Sequence, residues 1–245
     1  MRILTWNIRH GGQGREADLA TTIRASGADI VLLQEATRPS VVEAVARDLG
    51  MAHWGTTRRQ SLGFLSRSPL EHVEWRKPRV SRHAFLELVP AGGQCHLFGV
   101  HLSAVHAAWT ERRRLHEVRA LLASVARRAP GFHMLAGDFN TLAPGELLDI
   151  GLLPLRLRPF VWLSGGRIRW KTIQQVLDSG YADVFRAQQS GEPGFTFPSW
   201  QPHLRLDYVF VPGAAVDHIA HCEVVHTESA VRASDHLPIL VELQA

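Results

Sequence analysis

The sequence predicts an α/β protein of the α+β kind, with two mixed β-sheets packed face to face and helices outside. Three observations predict it. Several short, continuous apolar runs end on a polar residue, as buried strands do when their ends reach a surface. Amphipathic helical patterns lie between the strands, and several strand pairs follow each other closely enough to form hairpins. No Ser/Gly/Pro-rich linker or charge block divides the 245 residues, so one domain spanning residues 1–245 is expected.

Taken in order, residues 2–8 read as a first strand, with Leu4, Trp6 and Ile8 on one face and Asn7 near its exit. His10-Gly11-Gly12-Gln13-Gly14 is a turn that lacks the spacing of a dinucleotide fingerprint. Residues 16–26 carry Leu19, Ala20 and Ile23 at helical spacing, and Gly27 is a C-terminal stop. Residues 29–35 form an apolar strand ending in Glu35. Ser40 and Glu43 have the spacing of a capping box that opens a helix to Leu49, closed by Gly50. Residues 63–66, 84–89 and 96–101 read as strands, the last ending in His101.

Thr110 is expected to cap a helix over residues 111–128. Its apolar stripe is Leu115, Val118, Leu122 and Val125, with Arg112, Arg113, Arg114 and Arg119 on the solvated faces. After the Pro130-Gly131 break, residues 133–140 run from an apolar strand to Asp138 and Asn140, two positions of the same parity. Residues 144–169 are less regular, with Phe160 and Trp162 among arginines, which suits base stacking or an anionic lipid surface equally. A helix over 172–179, a strand over 205–211 carrying Asp207, the motif Ser234-Asp235-His236-Leu237-Pro238 and a last strand over 239–243 complete the chain.

Composition narrows the class. Hydrophobic content of 45% and charged content of 20% are those of an ordinary globular protein. No apolar run approaches the roughly 18 residues of a membrane span. Met1 leads directly into a strand, leaving no room for a signal peptide, so a cytoplasmic location is expected. Cys95 and Cys222 have no metal spacing and read as free thiols. The net charge is +4, and all the basic residues except Lys77 and Lys171 are arginines, whose planar fork suits phosphate oxygens. This balance permits an anionic partner without naming one.

Asn7, Glu35, His101, Asp138, Asn140, Asp207, Asp235 and His236 all stand at or near strand ends. Each alone has a bland explanation, since a single histidine on a strand is more often a hydrogen-bonded core residue. Together they would place four carboxylates, two amides and two imidazoles in one pocket. Unrelieved, the carboxylates would repel and shift one another's pKa, and a divalent cation relieves this. Oxygen donors favour Mg²⁺, Mn²⁺ or Ca²⁺ over zinc, and Mg²⁺ leaves positions open to water and phosphate. Phosphoester hydrolysis is the expected chemistry.

Thr5-Trp6-Asn7, Leu33-Gln34-Glu35, Val100-His101-Leu102, Gly137-Asp138-Phe139-Asn140, Arg205-Leu206-Asp207-Tyr208 and Ser234-Asp235-His236-Leu237-Pro238 resemble the ordered motifs of the endonuclease/exonuclease/phosphatase (DNase I-like) superfamily. The resemblance implies a four-layer αββα sandwich and a metal-dependent phosphoesterase. By motif it implies Glu35 as principal metal ligand with Asn7 and Asp235 beside it, and Asp207 orienting His236, which acts as general base or steadies the developing phosphorane charge. It also implies that Asp138 orients the attacking water and Asn140 donates to a phosphate oxygen. Val100-His101-Leu102-Ser103-Ala104 is similar to the histidine segment of DNase I and bacterial sphingomyelinases, which implies His101 as general acid. No clear equivalent of the central tyrosine of exonuclease III-like repair enzymes is found, which disfavours abasic-site repair. Asn7 is followed by Ile8-Arg9 rather than the Asn-x-Asp of some members.

Arg82, His83 and Trp162 are weaker candidates for substrate contacts, chosen by residue type and position. A nuclease acting on DNA or RNA is the leading expectation. A phospholipid or phosphoinositide phosphodiesterase or phosphatase is the alternative, and a non-catalytic binding module a remote one. A monomer is expected, with no protein partner indicated.

Overall fold

The computed structural model describes residues 1–57, 60–79, 81–93, 95–104, 108–129, 131–146, 150–152 and 170–244. Its strands are β1 (Arg2–Asn7), β2 (Ile30–Gln34), β3 (His53–Thr56), β4 (Leu62–Ser66), β5 (Leu70–Arg76), β6 (Phe85–Pro90), β7 (His96–His101), β8 (His133–Asp138), β9 (Tyr181–Asp183), β10 (Asp207–Pro212), β11 (Ile219–Val224) and β12 (Ile239–Leu243). The helices are α1 (Glu16–Ser26), α2 (Pro39–Leu49), α3 (Ala108–Arg128), α4 (Lys171–Asp178), α5 (Val184–Gln188) and α6 (Glu228–Ala233).

The strands form two six-stranded sheets, ordered β11-β12-β1-β2-β4-β3 and β5-β6-β7-β8-β10-β9. At the heart of each lies one parallel pair, β1 with β2 and β7 with β8, and the strands to either side run antiparallel. Alternation along β1 explains the layering. Leu4 and Trp6 pack with α1 and α2 residues such as Leu19, Ile23 and Val45, whereas Ile3 faces the opposite sheet with Leu86, Leu97 and Met134. The other face of the second sheet (Phe98, Leu135, Phe210) packs on Val118, Leu121 and Val125 of α3 and Ile173 of α4. Three apolar seams therefore bind four layers, the αββα sandwich that the family resemblance implied.

Several local expectations change. The Ser40–Glu43 box does not open α2. That helix begins at Pro39, its first-turn position fixed by the ring, and Arg38 supplies no side-chain cap. Helix α3 starts at Ala108, so Thr110 lies inside it. Arg114 does not lie on a solvated face. It is 2% exposed, pairs with Glu111 at 2.9 Å, and donates from Nη1 to the Ser103 carbonyl at 2.8 Å. Its position, four residues before Val118, puts it on the buried stripe. Cys95 and Cys222 are buried free thiols, as read. No helix among the described residues is long and apolar enough to cross a membrane.

Candidate active site

Every residue that the sequence brought forward for chemistry stands at one end of the two parallel strand pairs, apart from Phe160 and Trp162, which lie outside the described residues. Asn7 ends β1, and Glu35 follows β2. His101 ends β7 and is registered opposite Asp138, which ends β8. Asp207 opens β10 and pairs across to Asp138. Asp235 and His236 come from the turn between α6 and β12. Parallel strands side by side end at the same edge, so the topology gathers side chains far apart in sequence.

The two sheets meet through polar bonds here. Asn7 Nδ2 donates to Asp138 Oδ2 at 2.9 Å and, at 3.4 Å, to Glu35 Oε1. Asp138 is 1% exposed and also accepts from the Asn140 backbone N–H at 2.8 Å and from Asn140 Nδ2 at 3.0 Å. Asn140 does not share a strand face with Asp138, because the strand stops at Asp138. Asn140 instead adopts a left-handed conformation (φ 53°) that folds its amide back onto Asp138 and the Leu102 carbonyl. The approach of β8 to β7 demands Gly137, since a Cβ there would lie 2.0 Å from the Val100 carbonyl oxygen. Arg9, His10, Glu35 and Asn140 are the non-glycine residues with positive φ among those described, and all four sit at this edge. Such clustering of strained backbone is characteristic of functional sites.

His236 and Asp207 form the buried centre, with Nδ1 2.8 Å from Asp207 Oδ2. Ligand-type atoms of Asp138, Asp207 and His236 all lie within 4.8 Å of one another, so this cluster is one that could hold a metal. Burial disfavours the charged imidazole, but the Asp207 charge and hydrogen bond, with Asp138 behind them, push His236 up to about 10. Asp138 is raised to about 7, first by burial and then by the Asp207 charge, against the lowering pull of His236 and its hydrogen-bond donors. The backbone around His236 is anchored on several sides. Trp6 Nε1 donates to its carbonyl, the Ser234 hydroxyl donates to the Asn7 carbonyl, and the Phe197 ring lies 4.9 Å from the imidazole.

His101 sits opposite, its Nε2 3.8 Å from Asp138 Oδ2. Its Nδ1 is buried without a hydrogen-bond partner among the described residues. An N–H at Nδ1 would be buried unpaired, so the proton belongs on Nε2 and the ring is neutral. Burial, then the nearby His83, His236 and Arg82, hold its pKa well below the ordinary histidine value. His83 stacks on it, with centroids 4.7 Å apart and planes 5° apart. Glu117, buried on α3, holds both partners in place by accepting from the Arg82 N–H at 2.9 Å and the Ser103 N–H at 3.1 Å. Arg82 itself is exposed at the rim. Glu117 escaped sequence reading, although an acid next to Val118 on an apolar stripe was a usable signal.

Glu35, Asp235 and Asn7 supply only oxygen donors of the kind that hard divalent cations take. Both carboxylates are partly exposed (30% and 22%) and weakly compensated. Glu35 accepts from the His10 N–H at 2.5 Å and from Asn7 Nδ2 at 3.4 Å, and Asp235 pairs with Arg9 Nε at 3.4 Å among the described residues. Asn7 Oδ1 accepts from the Arg9 N–H and keeps a second lone pair. The donor chemistry of these residues suits a hard divalent ion.

The chain belongs to the Endonuclease/Exonuclease/phosphatase family, whose model matches residues 4–236. Comparison with curated proteins returns no significant match. Among solved structures, it is similar to a 3′-5′ exonuclease (NExo) from Neisseria meningitidis (TM-score 0.78, 20% identity) and to an AP endonuclease from Archaeoglobus fulgidus (TM-score 0.77, 16% identity). A 3′ phosphatase NExo from Neisseria bound to a product DNA hairpin matches equally well (TM-score 0.77, 19% identity). In all three, 100% of both chains is covered. At these identities the likeness establishes the DNase I-like fold.

Proposed function

We propose that the chain is a divalent-metal-dependent phosphodiesterase whose substrate is nucleic acid. The observation that carries this reading is the buried His236–Asp207 pair at 2.8 Å, set against Asp138 and facing an oxygen-donor mouth. His236, once neutral, takes the proton of the attacking water through Nε2, while Asp207 holds the Nδ1–H and stabilises the imidazolium that results. Asp138 orients that water. Asn140 donates to a non-bridging phosphate oxygen, exchanging one of its two present acceptors, Asp138 and the Leu102 carbonyl, for the substrate. His101 offers its Nε2–H to the phosphate or the leaving oxygen as a neutral donor.

Glu35, Asn7 and Asp235 hold the divalent ion, which when bound would neutralise charge developing on the phosphoryl oxygens. This assignment leaves Asp138, Asp207 and His236 for proton transfer, because a cation there would compete with the His236–Asp207 hydrogen bond.

Nucleic acid is favoured by the rims. Arg82 stands exposed beside the His83–His101 stack. Trp200 is 62% exposed on a loop whose Ser199 bonds the Asp235 and Ser234 carbonyls, immediately beside the centre. The test is cleavage of single- and double-stranded DNA, RNA, sphingomyelin and phosphoinositides with Mg²⁺ or Mn²⁺. Oligonucleotides should be cut, activity should vanish in EDTA, and either ion should restore it. Full activity in metal-stripped protein would overturn the metal assignment, and turnover confined to lipids would overturn the substrate class.

A further inference from the structure

The N-terminal turns of α3 and α4 form a surface that the proposed chemistry does not use. They start level with the active site. Glu111, in the first turn of α3, accepts from the Thr141 hydroxyl, one residue from Asn140, and from the N–H and hydroxyl of Thr172 in α4. Around this buried carboxylate the solvent side carries Trp109 (58% exposed), Arg112 and Arg113 from α3, and Trp170 (39% exposed) and Lys171 from α4.

Among the described residues, the basic charges on this surface are uncompensated. The carboxylates of Glu111 and Glu117 are turned inward, the first paired with Arg114 and the second bonded to Ser103 and Arg82. Arg112, Arg113 and Lys171 make no side-chain hydrogen bond or ion pair among the described residues. Elsewhere exposed arginines commonly have partners, as Arg2 with Glu242, Arg24 with Asp48 and Arg232 with Asp18. Three free cations beside two exposed indoles suit a chain of phosphates bearing accessible base faces. A base inside a duplex hides its faces, so the indoles favour an unpaired strand. The neighbouring solvent positions of both helices (His116, Arg119, Gln174, Gln175) are polar, whereas a membrane-seated helix presents aliphatic residues there.

We propose that this rim binds the single-stranded flank of the substrate, with Arg112, Arg113 and Lys171 on its phosphates and Trp109 and Trp170 against its unpaired bases. The assignment rests on the nucleic-acid reading above and extends it to strandedness. It is tested on the full chain by fluorescence anisotropy of a short single-stranded oligonucleotide and its blunt duplex. Alongside it, turnover of bis(p-nitrophenyl) phosphate, a diester too small to reach the rim, is measured.

Arg112→Gln/Arg113→Gln and Trp170→Leu should each weaken single-strand binding about tenfold, with turnover of the small diester unchanged. The double arginine variant should also lower the salt slope by about 1.4, two contacts at about 0.7 each. Unchanged oligonucleotide affinity and slope would overturn the proposal, as would an equal loss on the duplex. Variants that lose binding to phosphatidylserine vesicles while keeping the oligonucleotide would reassign the rim to a membrane. A wild-type protein that binds single strands through this rim but cleaves no diester would contradict the catalytic reading alone.

Discussion

The two imidazoles of the site are built oppositely, and the difference lies at the nitrogen that faces away from the reaction. His236 has a carboxylate 2.8 Å from Nδ1, and the Nδ1 of His101 has no hydrogen-bond partner among the described residues. Both rings are buried to a similar degree, at 6% and 7% exposure. Burial alone would make both neutral, yet Asp207 lifts His236 to about 10 while His101 falls well below its usual range. At equal depth, burial leaves His101 neutral, and the carboxylate at the distal nitrogen makes the difference for His236. In the proposed mechanism Asp207 stabilises the imidazolium that His236 becomes on taking a proton, and His101 donates a hydrogen bond without moving one.

The largest test of this contrast removes the proton carrier. His236→Ala is expected to lower kcat on an oligonucleotide by roughly 10²–10⁴ with KM little changed, because only the transition state needs the transferred proton. Unchanged turnover of every substrate would sink the assignment. For the other imidazole, His101→Ala should cost about 10²-fold, the scale of one lost oxyanion donor, whereas His101→Gln, which keeps an N–H donor, should cost only about tenfold. Equal losses in the two variants would mean that His101 transfers a proton after all.

A third test concerns stability between the rings. The folded pKa of Asp138, about 7, lies above its unfolded value near 3.8, so folding favours the protonated form. Its contribution is favourable below the unfolded pKa and is lost as pH rises through the folded one. In metal-free protein, Asp138→Asn should therefore gain stability relative to wild type between about pH 4 and 7, reaching roughly 2–4 kcal/mol, or about 5–10 °C in Tm. A gap independent of pH in thermal melts would refute this, even as the variant loses activity. The smallest effect is expected for His83→Leu. Removing the stacked ring takes away a repelling neighbour and admits water, so the His101 pKa should rise toward its ordinary value in an NMR titration.

Legibility followed burial. The strands recognised from sequence, β1, β2, β4, β6, β7, β8, β10 and β12, are the interior ones, whose continuous apolar runs reflect burial on both faces. The four that went unread, β3, β5, β9 and β11, are the four edge strands of the two sheets. Edge strands are half solvated, and His53-Trp54-Gly55-Thr56 or Leu70-Glu71-His72-Val73-Glu74-Trp75-Arg76 carry too many polar residues to stand out. The site residues were legible because polar groups at the ends of apolar runs are conspicuous. Glu117 and Arg114 were not, because on a helix a buried charge and a solvated one have the same sequence appearance until a partner is known.

The amino-acid sequence by itself determined the central strands, the layer of helices over them and the identity of the residues at the strand ends. Those follow from periodicity and from the cost of burying unpaired polar groups, both local properties of the chain. The family motifs already implied the Asp207–His236 pairing, whereas tertiary structure alone decided where Asn140 turned its amide and that Glu117 would tie the backbone of Arg82, beside His83, to that of Ser103, beyond His101. Each of these depends on contacts between segments tens to hundreds of residues apart. Hydrogen-bond geometry and desolvation are set by those contacts, so the same residue types could have carried a different division of roles.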